Sequence, residues 1–334
     1  MTDLIRLEHL GIHLKSRQGS KTLVHDVTFS IKAGESLGLV GESGSGKSLT
    51  ARAIMGLHPA SAQLTGICQF RNKDISSMSS RELREYRTRG VAMIFQDPHA
   101  HINPVRKIGD FLTEALVSNL KMPKAEAVSR VSRTLEEVGL SDPHRRLNQY
   151  PHELSGGMLQ RVMIAAALAA DPAVLVADEP TTALDVTTQA EVMALLDKLR
   201  RERNMAMLFI THDLDLAAAV CDRTAVMYAG KIVEMQASDM LHWHPHHPYT
   251  AALAKSRPAI DARLARLLVI PGSPPSGGAA TGGCPFAPRC AYATTLCQEQ
   301  EPALRHLGGG LGACHHSERI ESQLRVEGEG SVRV

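Results

Sequence analysis

Apolar positions follow three different spacings along this 334-residue chain. Residues 5–14 and 24–32 alternate apolar and polar positions, which predicts strands of an antiparallel layer with one buried face. Continuous apolar runs predict strands buried on both faces of a parallel sheet, and they lie at 36–40, 90–95, 173–177 and 206–210. Helical spacing is found at 126–138, 156–170 and 187–203. This order of elements predicts an α/β fold.

The composition changes after about residue 241, where His and Pro become frequent and a Pro/Gly/Ser stretch occupies 271–283. We therefore expect a main domain over 1–245 and a small irregular C-terminal domain over 246–334. The 37 Lys and Arg residues nearly balance the 35 Asp and Glu residues, and aromatic residues make up only 4%, so the composition does not favour a nucleic-acid partner. The longest apolar run, 162–170, is about half of what a membrane-spanning helix needs.

A glycine-rich loop follows the apolar run at 36–40. It contains Gly41, Glu42, Ser43, Gly44, Ser45, Gly46, Lys47 and Ser48, and Leu49 begins a segment that can form a helix. A G-x-x-x-x-G-K-[ST] phosphate loop requires this strand–loop–helix setting. Its glycines let backbone amides turn towards a polyphosphate, while Lys47 can reach the β- and γ-phosphates and Ser48 can bind Mg²⁺. The loop and Leu49 are therefore the predicted binding site of a nucleoside triphosphate.

Two carboxylates follow the apolar run at 173–177. Asp178 is expected to hold Mg²⁺, directly or through water, and Glu179 to polarise the water that attacks the γ-phosphate. Two acids after a strand say little in isolation, but together with the phosphate loop they predict a nucleotide hydrolase.

Further residues come in a fixed order around this pair: Gln96, the Leu-Ser-Gly-Gly element at 154–157, the Thr-Ala-Leu-Asp element at 182–185, and His212. With the loop and the two acids, this series resembles the ATP-binding subunit of an ABC transporter over roughly residues 1–240. The simpler interpretations are plain helix N-caps for Ser155 and Asp185, and ordinary loop residues for Gln96 and His212.

The resemblance implies a RecA-like core, an antiparallel β-subdomain and a helical subdomain near 97–165. It also implies that two ATPase subunits enclose two ATP molecules head to tail. Ser155, Gly156 and Gly157 would grip the γ-phosphate bound by Lys47 of the opposite subunit, because a helix N-terminus attracts anions. Gln96 would sense Mg²⁺ and the attacking water, His212 would hydrogen-bond the γ-phosphate, and Asp185 would line the interface. The implied catalytic residues are Lys47, Gln96, Glu179 and His212.

One departure from the family concerns the adenine base. Relatives usually stack it on an aromatic side chain near the N-terminus, but residues 1–28 contain no Phe, Tyr or Trp. His13 and Arg17 are the candidates for that contact.

Three segments narrow the resemblance within the family. Residues 94–104 resemble the segment that follows the corresponding glutamine in peptide importers, and residues 247–250 and 270–275 resemble the extension of dipeptide, oligopeptide and nickel importers. The same is true of the motif that begins Cys284-Pro-Phe-Ala-Pro-Arg-Cys290 and continues with Cys297 and Cys314.

These four cysteines lack the close C-x₂-C pair of structural zinc sites. Four thiolates suit a [4Fe–4S] cluster as well as zinc, and a disulfide does not suit a reducing cytosol. Some peptide importers that resemble this chain carry such a cluster, so the cluster is the favoured interpretation. Zinc and metal-free thiols stay open.

The expected function is that of an ATP-hydrolysing subunit, using ATP and Mg²⁺, that powers the uptake of short peptides. Its implied partners are two transmembrane permease subunits, a second identical or homologous ATPase subunit and an extracytoplasmic solute-binding protein. Its implied place is the cytoplasmic face of the cell (inner) membrane. The alternatives are an importer of nickel or a metal chelate, a soluble ATPase acting on nucleic acid, and a redox sensor with a vestigial ATPase.

Overall fold

The computed structural model of the protein describes residues 3–16, 19–182, 184–256, 270–273 and 282–325. Its strands are β1 (Asp3–Ser16), β2 (Gly19–Lys32), β3 (Ser36–Val40), β4 (Ala62–Phe70), β5 (Lys73–Asp74), β6 (Val91–Ile94), β7 (Val174–Asp178), β8 (Ala206–Thr211), β9 (Arg223–Tyr228), β10 (Lys231–Ala237), β11 (Arg305–Leu307) and β12 (Gly310–Gly312). Its helices are α1 (Lys47–Ile54), α2 (Ser80–Glu85), α3 (Ile108–Ser118), α4 (Lys124–Glu137), α5 (Pro143–Asn148), α6 (Gly156–Leu168), α7 (Val186–Glu202), α8 (Leu214–Val220), α9 (Ser238–Trp243), α10 (Pro248–Lys255), α11 (Thr295–Glu299) and α12 (Ser317–Leu324). Within these described ranges, no helix has both the length and the apolar character to cross a membrane.

The larger sheet has the strand order β11-β12-β10-β9-β3-β8-β7-β6. Strand β3 pairs in parallel with β8 on one side and β9 on the other, and β7 pairs in parallel with β8 and β6. All residues of β3, β7 and β8 are buried, as their continuous apolar runs predict. Because parallel strands end at the same edge of a sheet, the loops that follow β3, β7 and β8 meet there.

The smaller sheet is antiparallel, in the order β2-β1-β4-β5. Its inward-facing residues alternate with exposed ones and pack on the core of the larger sheet; they include Ile5 and Leu7 on β1, and Val27 and Phe29 on β2. The alternation at 5–14 and 24–32 therefore predicted these strands correctly.

A group of helices covers one face of the larger sheet. Leu112 and Leu116 of α3 pack in one buried cluster with Val131 and Leu135 of α4 and with Leu159 of α6. The helical spacing found at 126–138 and 156–170 is confirmed by α4 and α6. The limits of 97–165 for a helical subdomain stay a prediction.

The C-terminal residues are built onto the larger sheet. Strand β12 pairs with β10, and β11 pairs with β12. Each of these two strands has three residues, which is too few to show alternation, so the sequence predicted no strand here. The fully buried Tyr249 of α10 packs against Tyr228 of β9 and against Phe286, with ring centroids 4.6 and 5.4 Å away.

A buried carboxylate fastens the start of α10 to the sheet. Glu234 of β10 is fully buried and accepts hydrogen bonds from the backbone N–H groups of His246, at 2.7 Å, and His247, at 2.9 Å. Burial raises the pKa of Glu234 to about 7. His247 in turn accepts a hydrogen bond at its Nδ1 from the N–H of Tyr249, at 3.0 Å, and so caps α10. Burial lowers the pKa of the His247 imidazole to about 3.

Candidate active site

The phosphate loop runs from the end of β3 to the start of α1, as the sequence predicts. Gly46 has a φ of 108°, a conformation that side-chain-bearing residues rarely adopt. A Cβ on Gly46 would also lie 2.7 Å from the Met227 side chain, and one on Gly41 would lie 2.1 Å from the Met227 carbonyl oxygen. Glycine is therefore required at Gly41 by the close approach of the β9 backbone and at Gly46 by its φ.

Lys47 lies inside the loop that it belongs to. Lys47 is only 5% exposed, and its Nζ donates hydrogen bonds to the carbonyl oxygens of Gly41, at 2.7 Å, and Glu42, at 3.0 Å. Burial lowers the pKa of this ammonium group, and the carboxylates of Glu179 and Asp178 oppose that shift. The lysine is thus a positive charge held in the concave side of the loop, where a phosphate would meet it.

Asp178 and Ser48 bring two oxygen ligands together at the start of α1. The Ser48 hydroxyl donates a hydrogen bond to Asp178 Oδ1 at 3.1 Å, and Asp178 is 7% exposed. Burial raises the pKa of Asp178, while the Ser48 hydrogen bond lowers it. A hydroxyl and a carboxylate in contact are hard oxygen donors of the kind that Mg²⁺ prefers, so these residues fit that ion.

Glu179 is surrounded by the other residues singled out from the sequence. Gln96 Nε2 donates to Glu179 Oε2 at 3.0 Å, and His212 Nδ1 lies 3.6 Å from Oε1. The Thr182 hydroxyl also donates to Oε2, at 2.9 Å. Glu179 has a φ of +46°, which is a strained conformation for a residue with a side chain and is typical of active sites. Its carboxylate is therefore fixed from three sides.

One cavity of about 680 Å³ is lined by most of these groups, although Asp178 and Thr182 are not among its lining residues. Its lining residues belong to the loop and α1, to the ends of three strands, and to α10: Glu42, Ser43, Gly44, Gly46, Lys47, Ser48, Leu49, Gln96, Glu179, His212, Leu253 and Ser256. The last two, on and just after α10, were not predicted from the sequence. A larger cleft of about 900 Å³ lies between the smaller sheet and the C-terminal strands, but its charged residues pair with one another, as in Arg6 with Glu8 and Lys231 with Glu301.

The Ser155–Gly157 element and Asp185 do not line this cavity. Ser155 caps α6 by accepting a hydrogen bond from the N–H of Met158 at 3.3 Å, and Asp185 caps α7 by accepting one from the N–H of Thr188 at 3.0 Å. Both residues are exposed, and Val186, next to Asp185, is 83% exposed. Both residues are therefore helix N-caps, which is compatible with a contact to a second subunit, and that contact stays a prediction. Ala183 lies outside the described residues.

The adenine candidates are placed differently. His13 uses Nδ1 with the Thr22 hydroxyl, at 2.9 Å, and Nε2 with the Thr65 hydroxyl, at 3.2 Å, so both ring nitrogens are engaged in the smaller sheet. Arg17 lies outside the described residues.

Cys284, Cys290, Cys297 and Cys314 all line one cavity, whose volume is only about 10 Å³. That is about the space of one water molecule. Nor, within the described parts of the chain, are three or more His, Cys, Asp or Glu side chains grouped so as to hold a metal ion. Burial raises the pKa of Cys284 to about 11 and also raises those of Cys290 and Cys314. The [4Fe–4S] prediction gains no support here.

Comparison with known proteins agrees with this geometry. Residues 24–182 match the family described as "ABC transporter", and residues 233–297 match "Oligopeptide/dipeptide transporter, C-terminal region". The chain is 44% identical to "Oligopeptide transport ATP-binding protein OppD" of Escherichia coli (strain K12), over 93% of this chain and 92% of that protein. It is 43% identical to "Dipeptide transport ATP-binding protein DppD" of Bacillus subtilis (strain 168), over 90% and 91%.

Solved structures of similar fold include the dimeric post-hydrolysis state of the ATP-binding cassette MJ0796 bound to ADP and Pi. It superimposes with a TM-score of 0.63 and 28% identity, over 70% of this chain and 98% of that one. CbiO1 from Clostridium perfringens superimposes with a TM-score of 0.62 and 27% identity, over 72% and 91%. The chain therefore belongs to the ABC transporter family, as an ATPase subunit that carries the oligopeptide/dipeptide transporter C-terminal region.

Proposed function

We propose that this chain hydrolyses ATP to power the uptake of short peptides through a membrane permease. The observation that carries the proposal is the single cavity in which Lys47, Gln96, Glu179 and His212 converge, in a chain whose C-terminal region matches peptide transporters. The relatives named above are oligopeptide and dipeptide transport proteins, which favours peptides over nickel or a metal chelate. The near-neutral charge of the chain argues against nucleic acid.

The predicted site residues have roles that their positions support. Lys47, now bonded to two loop carbonyls, would exchange these for the β- and γ-phosphates, and the N–H groups at the start of α1 favour an anion at the same place. Ser48 and Asp178, with Gln96, would hold Mg²⁺, which neutralises charge on the phosphates. Glu179 would take a proton from the attacking water, and His212 would donate a hydrogen bond to the γ-phosphate.

The exposed Ser155–Gly157 element and Asp185 serve a second ATPase subunit in this proposal. Ser155, Gly156 and Gly157 begin α6, so their N–H groups and the helix dipole favour an anion supplied by a partner. The exposed Val186 beside Asp185 would be covered in the same contact. The relative MJ0796 is described as dimeric, which supports this arrangement.

The other proposed partners are two transmembrane permease subunits and an extracytoplasmic solute-binding protein, which would place the chain at the cytoplasmic face of the inner membrane. The segment that follows Gln96 carries Val105, whose side chain is 78% exposed, and this segment is the proposed contact with the permease. Motion of the nucleotide site would reach the permease through Gln96, since this residue touches Glu179.

Transport by the assembled complex in lipid vesicles tests the function. We expect uptake of a labelled tripeptide that requires ATP and Mg²⁺ and stops when a non-hydrolysable ATP analogue replaces ATP. Nickel and a nickel chelate, offered at equal concentration, are the matched controls and are expected to stay outside. Uptake of nickel without uptake of any peptide in a mixed library would contradict the peptide proposal, and ATPase activity that requires DNA or RNA would contradict transport.

For the four C-terminal cysteines we keep the [4Fe–4S] cluster as a prediction carried by sequence resemblance alone, with zinc and metal-free thiols as the alternatives. A cluster would require the small cavity among the four thiols to open and the thiols to lose their protons. About four iron and four sulfide ions per chain after anaerobic purification are expected if it is present. Stoichiometric zinc, or no metal, would remove the cluster.

A further inference from the structure

Glu42, the second residue of the phosphate loop, is held through all three of its polar groups. Its carbonyl oxygen accepts a hydrogen bond from Lys47, at 3.0 Å. Its N–H donates to the hydroxyl of Tyr249, at 2.8 Å, and its carboxylate accepts two hydrogen bonds from Arg289. Two of these three contacts come from the C-terminal part of the chain. No role that we have assigned to the nucleotide site requires them.

Arg289 binds Glu42 with the geometry of a fork. Its Nη1 donates to Glu42 Oε2 at 2.6 Å, and its Nη2 donates to Oε1 at 3.1 Å. Its other donors reach the Pro271 carbonyl at 2.7 Å, the Ile270 carbonyl at 3.4 Å and the Tyr228 hydroxyl at 3.3 Å. All five guanidinium N–H groups therefore have an acceptor. The Arg289 side chain is 4% exposed, so solvent screens this ion pair weakly.

Tyr249 is fixed just as firmly on the other side of Glu42. Its ring is buried in a cluster with Tyr228 and Phe286, and α10 is anchored by the buried Glu234 through the N–H groups of His246 and His247. Leu253 of the same helix lines the nucleotide cavity. The acceptor of the Glu42 N–H is therefore part of a packed element.

A glycine-rich loop loses much conformational freedom when it closes on a polyphosphate, and a loop already held in shape loses less. Gly44 and Gly46 adopt positive φ, which glycine reaches without the penalty of a Cβ, whereas Glu42 is held beside them by side-chain contacts. Fixing Glu42 also fixes its carbonyl, which is one of the two oxygens that hold Lys47.

We propose that Arg289 and Tyr249 are positioning residues for the nucleotide: they hold Glu42 so that the phosphate loop is already in its binding shape. Through Arg289, the C-terminal region thereby sets the affinity of the nucleotide site, although Arg289 itself does not touch the nucleotide. The inference rests on the proposed function in that ATP is taken as the ligand. Arg289 belongs to the turn Ala287–Arg289 and directly precedes Cys290, so a change in the cysteine cavity would reach the loop through this residue.

The test measures the dissociation constant of Mg·ATP for the full chain by calorimetry and KM and kcat for the assembled transporter. R289Q removes the charged fork, and we expect about tenfold weaker binding because a tenth of the loop population would then have the binding shape. The loss should appear in KM rather than in kcat. Y249F keeps the ring and removes the acceptor of the Glu42 N–H, and about fivefold weaker binding is expected.

The matched control is R305Q. Arg305 forms the same kind of two-bond fork with Glu318, in the same region, at 2.6 Å for each bond, and neither residue lines the nucleotide cavity. Affinity in R305Q should equal that of the unaltered chain. A second readout compares the affinity of the double variant E42Q/R289Q for Mg·ATP with the affinities of the single variants E42Q and R289Q. Because Arg289 acts through Glu42, the double variant should bind no more weakly than whichever single variant binds more weakly.

Affinity within twofold of the unaltered chain in R289Q and Y249F would overturn the inference, as would an equal loss in R305Q or losses that multiply in the double variant. If R289Q shows no cooperative thermal unfolding transition, the result for Y249F decides. Failure of the unaltered chain to bind ATP would overturn the proposed function as well. Normal binding with no effect of the variants would overturn this inference alone.

Discussion

Replacing Glu179 by Gln is expected to lower the kcat of ATP hydrolysis by about 10²–10³-fold, because one preorganised group that acts on the attacking water is lost. The amide has nearly the shape of the carboxylate, and its oxygen can still accept the hydrogen bonds from Gln96 and Thr182. ATP binding should therefore persist. With hydrolysis blocked and binding intact, the two-subunit form should accumulate with ATP, which size-exclusion chromatography with Mg·ATP would detect.

Glu202→Gln is the matched control for this experiment. Glu202 is an exposed residue of α7, paired only loosely with Lys198 at 3.8 Å, and it lies outside the nucleotide cavity. Its replacement should leave phosphate release from ATP at the rate of the unaltered protein. Unchanged turnover in Glu179→Gln would remove Glu179 from the role of general base. A strictly monomeric ATP-bound protein with undiminished turnover would remove the second subunit from the mechanism.

Replacing Lys47 by Ala is expected to weaken the binding of Mg·ATP by about 100-fold or more, since charge-assisted hydrogen bonds to the β- and γ-phosphates are lost together. The ammonium group is buried beside the carboxylates of Asp178 and Glu179, so its removal also leaves uncompensated negative charge where the phosphates would bind. Calorimetric titration with Mg·ATP measures the loss directly.

Lys198→Ala serves as the control, because Lys198 is an exposed lysine whose side chain is 66% accessible. Its affinity for ATP should be that of the unaltered chain. The thermal unfolding temperature of Lys47→Ala without nucleotide separates loss of binding from loss of folding. ATP affinity within threefold of normal in a folded Lys47→Ala protein would contradict the place given to this lysine.

Much of the site could be predicted because it lies at the ends of strands that the sequence identifies strongly. Apolar runs such as those of β3, β7 and β8 have no polar residue facing out, and a parallel sheet is the environment that such runs require. The residues directly after them must then meet at one edge. The contact of Gln96 with Glu179 follows from this rule, although the two residues are 83 positions apart.

Other parts of the site could not be predicted, for two physical reasons. The left-handed backbone of Glu179 is imposed by its surroundings, since Glu has no local preference for that conformation. The fork between Arg289 and Glu42 joins residues with no common periodicity, each of which alone is an ordinary surface type. In the Cys-Pro-Phe-Ala-Pro-Arg-Cys motif, the sequence pointed to the cysteines as the functional residues. In the structure, it is Arg289 of this motif that contacts the phosphate loop, through Glu42.

The fork also has a consequence for synthesis of the chain. Glu42 and Arg289 are 247 residues apart, so the last support of the phosphate loop is made long after the loop itself. At about 5–20 residues per second, ribosomes add the intervening segment in roughly 12–50 s. During that interval a nascent chain already contains Lys47 and the glycines of the phosphate loop but lacks the ion pair between Arg289 and Glu42. Under the role that we propose for the fork, full affinity for nucleotide is reached only by chains that have been extended beyond Arg289.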